Sequence, residues 1–158
     1  MSMFCYQCEQ TAKGTGCTIQ GVCGKDETTA VLQDLLVHAL KGIALYARRA
    51  RDLGVTGREI NVFTVEGLFS TITNVDFDPE RLKGLLFRAA ELRDRAKRLY
   101  EEACKKADIL TRPSVTLSTS GEGRGEEWQP AKDIPGLVEQ GRDKGILKRH
   151  ERFGPDIA

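Results

Sequence analysis

Four cysteines lie within the first 23 residues, and they are the side chains best able to carry chemistry in this sequence. Their spacing is Cys5-x2-Cys8-x8-Cys17-x5-Cys23, and the rest of the chain contains one more cysteine, Cys104. Thiolates are soft ligands that suit zinc and iron–sulfur clusters. A two-residue gap lets both thiolates of a pair face one metal centre, and the eight-residue gap is long enough to reach its far side. The pattern therefore predicts metal chemistry at the N-terminus.

The spacing alone leaves three interpretations of these cysteines open. Disulfides are the weakest, because nothing in the sequence signals secretion. Structural zinc remains an alternative, although zinc modules usually show two close pairs of ligands. Four thiolates also suit a cubane or rhombic iron–sulfur cluster, which Phe4, Tyr6 and Val22 would shield from water while the intervening glycines let backbone amides approach the sulfurs. These neighbours favour the cluster without deciding the matter.

Composition and charge exclude several classes of protein. Lys and Arg number 24 and Asp and Glu number 23, which gives a formal net charge of +1 and no basic field to hold nucleic acid. The most apolar stretch, 35–47, contains His38 and Lys41 and is too short to cross a bilayer. The N-terminus has no charged region followed by an apolar run, as a secretory signal would. We therefore predict a cytoplasmic protein with neither nucleic acid nor membrane as a partner.

The cysteines must be positioned by the segments around them, and the first of these reads as irregular. Residues 1–25 are punctuated by glycine and threonine and show neither helical nor strand periodicity. From 26 to 53 apolar residues recur at three- and four-residue spacing, which predicts a long amphipathic helix. Asp26 is the expected N-cap of this helix, and Gly54 is its expected stop.

Two further helices are predicted downstream. One covers 59–73, ends at Asn74, and presents an apolar face made of Val62, Val65, Leu68, Phe69 and Ile72. The other begins after Asp78, which is followed by a proline and an acidic residue in the order typical of a helix start, and it continues to about Lys106.

These elements predict an all-α fold: an antiparallel helical bundle preceded by a cysteine-rich loop and followed by an irregular tail. The corresponding divisions are 1–25 for the cysteine-rich loop, 26–106 for a three-helix bundle, and 107–158 for a tail or linker. Four of the five prolines fall in the tail, and 118–125 reads as a flexible loop. One short helix is expected within the tail, near 135–143.

The remaining chemically capable residues have ordinary structural interpretations. We expect His38 to be a packed or surface histidine of the first helix and His150 to lie on a solvated face. Cys104 is expected to be a small, half-buried apolar residue, and Trp128 to pack the tail onto the bundle.

Several segments are specific enough to suggest a family. Together they closely resemble the N-terminal signature of the hybrid-cluster (prismane-type) proteins, and the likeness covers most of 3–100. The segments that carry it are MFCYQCEQTA (3–12), TGCT (15–18), GVCGK (21–25), LQDLL (32–36), KGIA (41–44) and GLFSTITN (67–74).

The resemblance implies an iron–sulfur oxidoreductase of the cytoplasm. Members of this family reduce hydroxylamine to ammonia, and nitric oxide reduction has also been proposed for them. They carry one cluster in the N-terminal helical domain and a second, hybrid iron–sulfur–oxygen cluster where the substrate is reduced. The resemblance assigns the first cluster to Cys5, Cys8, Cys17 and Cys23, in the spacing of the form that holds [4Fe-4S], and gives it the role of relaying electrons from a redox donor.

The sequence departs from the family in its later ligands. The hybrid cluster takes several further cysteines, a histidine and two glutamates, whereas this chain offers Cys104 and two histidines. We therefore expect a truncated N-terminal portion that is inactive by itself, contains no catalytic residue, and has the remaining domains of the enzyme as a partner. The alternatives are a zinc-binding structural module and a redox-sensing helical module.

Overall fold

The computed structural model describes residues 3–72, 75–110 and 128–154, and helices are the regular elements of this part of the chain. The all-α prediction is therefore confirmed for these residues. A 3-10 turn at Ala12–Gly14 lies inside the cysteine loop. Five α-helices follow in the order α1 (Glu27–Asp52), α2 (Arg58–Ser70), α3 (Pro79–Lys106), α4 (Ile134–Lys144) and α5 (Ile146–Phe153).

Helix α1 is central, because α2, α3 and α4 all pack against it. Its N-terminus is the one predicted: the Asp26 carboxylate accepts a hydrogen bond from the Thr29 backbone N–H at 2.7 Å. After its last turn the chain reverses through Gly54, whose φ of 77° favours glycine. The apolar stripe of α1 is fully or almost fully buried at Leu32, Leu35, Leu36, Leu40 and Ile43.

By length and composition alone, α1 would also suit a membrane span. In the fold, however, most of its apolar stretch is buried against neighbouring helices, as for the core helix of a bundle. The absence of a membrane partner stays a prediction.

Helix α2 is slightly shorter than the predicted 59–73, because it ends at Ser70. The hydroxyls of Ser70 and Thr71 donate to carbonyls one turn earlier, at 2.8 and 2.7 Å. These bonds add partners to carbonyls of the last turn, where the regular helical pattern runs out of donors. The predicted stop, Asn74, lies outside the described residues.

Side-chain contacts give the direction of α2. Near the start of α1, the Gln33 amide donates to the Ser70 carbonyl at the end of α2, at 3.4 Å. At the other end of α1, the Arg51 guanidinium donates to the Asn61 side chain at 3.2 Å. Helix α2 therefore runs antiparallel to α1.

Helix α3 begins where the sequence predicts, with the Asp78 carboxylate accepting from the Glu80 N–H at 2.9 Å. The Tyr46 ring of α1 lies 6.3 Å from the Tyr100 ring near the end of α3. Because the start of α1 lies beside Phe77, just before α3, the first and third helices run in the same direction.

The tail was expected to be irregular apart from one short helix, but it forms two helices, α4 and α5, so the expectation is wrong for 146–153. The predicted short helix corresponds to α4, which is capped by Asp133 and buries Leu137 and Val138. The start of α5 depends on another helix, because the Asp34 carboxylate of α1 accepts from the Ile146 N–H at 3.2 Å. No local signal encodes that cap. The predicted flexible loop at 118–125 lies outside the described residues.

Trp128 and Cys104 both lie in the core. Trp128 is buried against the core, and its carbonyl accepts a hydrogen bond from the buried Arg93, so it does pack the tail onto the bundle. Cys104 is fully buried rather than half-buried, since α3 turns it into the core.

Candidate metal centre

The cysteine loop is closed by a direct pairing of its first and third cysteines. The Cys5 N–H donates to the Cys17 carbonyl at 3.0 Å, and the Cys17 N–H donates to the Cys5 carbonyl at 2.9 Å. This isolated antiparallel bridge brings two residues that are twelve apart in sequence side by side. Two of the four predicted ligands are therefore adjacent.

Glycine is required where the loop passes the Phe4 ring. Gly16 has a φ of 122°, and a Cβ built on it would lie 2.6 Å from the nearest ring atom. A larger residue would both strain the backbone and displace the ring. Gly16 thus lets the chain pass close to the Phe4 ring just before Cys17.

The fourth cysteine sits in a tight turn of its own. The Gly21 N–H donates to the Lys25 carbonyl at 2.8 Å, and the Gly24 N–H donates to the Gly21 carbonyl at 2.8 Å. A Cβ on Gly21 would lie 3.1 Å from the Cys23 sulfur. The turn therefore packs the Cys23 thiol closely against backbone, which leaves little room for a side chain at position 21.

The surroundings of Cys17 stabilise its thiolate. The side chain is 4% exposed, and its sulfur accepts a hydrogen bond from the Ala12 N–H at 3.5 Å. Hydrogen bonds from the Ala12 and Val22 amides lower the pKa of Cys17, burial opposes them, and the charge of Lys25 adds to the lowering. Hydrogen bonds to the charged form favour that form, so this thiol is prepared for ligation.

Lys25 is the residue that sequence reasoning missed. Its side chain is 1% exposed, and its ammonium nitrogen lies 3.7 Å from the Cys5 sulfur. The same ammonium donates to the Gln33 side-chain oxygen and, at 3.5 Å, to the Thr71 carbonyl. The sequence signals were its position two residues after the fourth cysteine and its place in the GVCGK segment (21–25).

The structure does not bring all four predicted ligands around one point. Within 3–72, 75–110 and 128–154, no three His, Cys, Asp or Glu side chains are grouped closely enough to hold a single metal ion. The backbones of Cys5 and Cys17 are paired. Cys8 is a half-buried free thiol, and its ligation of the same group as Cys5 and Cys17 stays a prediction.

The residues present nevertheless fit a thiolate-bound cluster. Each iron of a cubane takes its own thiolate, so four sulfurs need not converge as tightly as they do on one zinc ion. An amide N–H directed at the Cys17 sulfur and a buried ammonium beside the Cys5 sulfur are groups that stabilise negative sulfur. In this respect the loop suits an anionic iron–sulfur group.

A small cavity of about 200 Å³ lies between the loop and the helices. It is lined on one side by Gln7 of the loop and on the other by Asp34, Lys41 and Arg149 of the helices. Burial raises the pKa of Asp34 to about 6, although the hydrogen bond from the Ile146 N–H and nearby lysines oppose the shift.

His38 lines the same cavity. Burial, together with the charges of Lys144, Lys41 and Arg149, lowers the pKa of its imidazole to about 4. The ring is therefore neutral at pH 7. Its packing among cations agrees with the expected structural role.

A loop that presents free cysteines on a helical body, with one thiol prepared for ligation, is the architecture of a thiolate-ligated metal or cluster protein. Residues 3–152 match the Prismane/CO dehydrogenase family, and the chain belongs to that family. Membership confirms the resemblance found in the sequence and supports iron–sulfur binding at the level of the family.

Curated relatives agree with this assignment. The chain is 47% identical over 150 residues to a hydroxylamine reductase of Geobacter metallireducens, a match that covers 95% of this chain and 26% of the relative. It is 49% identical over 155 residues to a hydroxylamine reductase of Syntrophobacter fumaroxidans, covering 98% and 26%. The chain thus spans about a quarter of the length of these oxidoreductases.

Proposed function

We propose that this chain is the iron–sulfur, electron-transfer portion of a hydroxylamine reductase. Cys5, Cys8, Cys17 and Cys23 would hold a [4Fe-4S] cluster. The observation that carries the proposal is the paired backbone of Cys5 and Cys17, with a buried ammonium 3.7 Å from the Cys5 sulfur. Such a cation suits a site whose resident group is negatively charged.

When bound, the cluster would supply one-electron redox chemistry. The chain's own residues hold it and limit its contact with water. Met3, Cys17 and Ala30 form a buried apolar cluster beside the start of α1, with Cys5 and Ala12 packed against it. Tyr6 and Val22, expected from the sequence to shield a cluster, are instead exposed on the loop together with Ile19, where a redox donor or the remaining domains of the enzyme could make contact.

The overall reaction is proposed from the relatives' names and from family membership. Hydroxylamine takes up two electrons and two protons, its N–O bond breaks, and ammonia and water form. The five cysteines of this chain do not suffice for both the loop and a hybrid cluster, so substrate reduction is assigned to the rest of the enzyme. The proposed setting is the cytoplasm, without nucleic acid or membrane as a partner.

Anaerobic reconstitution tests the proposal. The chain should bind about four iron and four sulfide per molecule, with visible absorption from sulfide-to-iron charge transfer and a paramagnetic signal after reduction. One zinc per chain without that absorption would support the zinc alternative. Iron and sulfide near zero would contradict the proposal. The loaded chain, given a reduced dye, should consume no hydroxylamine.

A further inference from the structure

Lys25 is a buried cation that lacks a carboxylate partner at close range. It is 1% exposed, and none of the ion pairs in the part of the chain that the structure describes includes it. The charge of Lys25 lowers the pKa of Asp34, but it affects that pKa less than burial and the hydrogen bond from the Ile146 N–H do. Burying an ammonium is costly unless an opposite charge compensates it. The close candidate for that charge is the Cys5 sulfur, at 3.7 Å.

The ammonium is held in place by groups from two other elements. The Gln33 side-chain oxygen, on α1, accepts a hydrogen bond from it, and the Thr71 carbonyl accepts a second at 3.5 Å. Gln33 is itself anchored, because its amide nitrogen donates to the Asp76 carbonyl at 2.8 Å and to the Ser70 carbonyl at 3.4 Å. The position of the charge is therefore set by the helical body.

These acceptors are neutral, so they orient the ammonium without cancelling its charge. The Phe77 ring, whose centroid lies 5.8 Å from the nitrogen, excludes water on another side and is also uncharged. A fixed positive charge in such a poorly solvated place acts strongly on neighbouring negative charge. The Cys5 sulfur, at 3.7 Å, is close enough to feel this charge strongly.

We propose that Lys25 is the built-in counter-charge of the iron–sulfur site, positioned by Gln33, and that it raises the reduction potential of the cluster. This inference rests on the proposed function. Reduction adds an electron to a group already made negative by thiolates, and a nearby cation stabilises the more negative state. Gln33 acts through Lys25 and is a positioning residue.

The test compares midpoint potentials in the anaerobically reconstituted chain. Lys25→Met nearly keeps the length of the side chain and removes its charge, so the potential should fall while iron and sulfide content stay unchanged. Lys13→Met is the matched control, because Lys13 is an exposed lysine of the same loop and should leave the potential unchanged. The readout is a dye-mediated redox titration followed by electron paramagnetic resonance.

Gln33→Met provides a second route to the same answer. It removes the side-chain oxygen that holds the ammonium and adds no charge, so the potential should also fall. In a Lys25→Met background this drop should disappear, since the two residues act as one unit.

The outcomes separate this inference from the proposed function. A wild-type chain that binds no iron or sulfide would remove the proposed function itself. A loaded wild type with a Lys25→Met variant at the same potential would overturn only the role of Lys25. If Lys25→Met does not load, Gln33→Met decides: a lower potential supports the inference and an unchanged one overturns it. Failure of both to load, with Lys13→Met loading normally, would make Lys25 a purely structural residue.

Discussion

The cysteine loop and the helical body of this chain are stabilised in different ways. The body, made of α1 to α4, shares one continuous core to which α1 and α3 contribute fully buried leucines. The loop, 3–25, has a small apolar cluster and depends on backbone hydrogen bonds, a tight glycine turn and a buried lysine. The body should therefore fold on apolar burial, whereas the loop should depend on what its thiols bind.

The contrast also explains how the two regions are joined. Lys25 is the last residue of the loop, but the two residues that hold its ammonium lie outside the loop. Gln33 is in α1, and Thr71 directly follows α2. A rigid body thus fixes one charge inside a region that has little core of its own. The stable core therefore holds the Lys25 ammonium in position, although the loop itself is small.

The largest effect should come from Cys17→Ser, which tests the loop alone. A hydroxyl is a poor substitute for a thiolate toward iron, so the cluster should be lost or strongly perturbed while the helical circular dichroism is kept. The control is Cys104→Ser, the same substitution at a cysteine buried in α3, which should keep the cluster. Full iron content and an unchanged spectrum in Cys17→Ser would exclude Cys17 as a ligand.

A substitution in the core of the body should lower the stability of the fold itself. Leu36 is completely buried in α1, and Leu36→Ala should lower the free energy of unfolding by about 2–5 kcal/mol through lost burial and a cavity. Urea unfolding followed by circular dichroism measures it. Val65→Ala, at an exposed position of α2, should have little effect. Equal losses at the two positions would contradict the assignment of the core.

The pH dependence of stability probes the cavity between the two regions. The pKa of Asp34 is raised to about 6, so its contribution is present below pH 4 and is lost as the pH rises through 6. The pKa of His38 is lowered to about 4, so its contribution is present above pH 6.5 and is lost as the pH falls through 4. In the wild type these two trends oppose each other.

In Asp34→Asn the pH dependence of stability should therefore follow the titration of His38 alone. The free energy of unfolding of this variant should fall from pH 6.5 to 4 relative to the wild type, by an amount on the order of 2 kcal/mol. Urea unfolding at several pH values measures the difference, and His38→Gln should tilt the profile the other way. Parallel profiles for wild type and both variants would show that neither group is perturbed by burial.

The smallest effect compares two helix caps. Asp26 and Asp78 accept backbone hydrogen bonds at 2.7 and 2.9 Å, so replacing either with alanine should cost about 1 kcal/mol. Asp26 directly follows Lys25, so Asp26→Ala should also speed loss of the cluster in a chelator challenge. Asp78→Ala should leave that rate unchanged. Equal rates in both variants would mean that the loop and α1 are less closely joined than the contacts indicate.

Local sequence signals predicted the starts of two helices correctly. Asp26 and Asp78 are the caps that the structure contains, because capping involves residues only two or three apart. The start of α5 could not be predicted in this way, since its cap, Asp34, is 112 residues distant. The candidate ligands could also be predicted from the sequence, because the spacing of the cysteines is a local property.

What the sequence determined by itself was the set of thiols, the helical periodicity and the membership of the family. What only the tertiary structure decided was the placement of Lys25, whose ammonium meets the Cys5 sulfur 20 residues before it and the Thr71 carbonyl 46 residues after it. The reason is physical. Periodicity and capping depend on neighbours along the chain, whereas burial of a charge depends on which distant segments close around it.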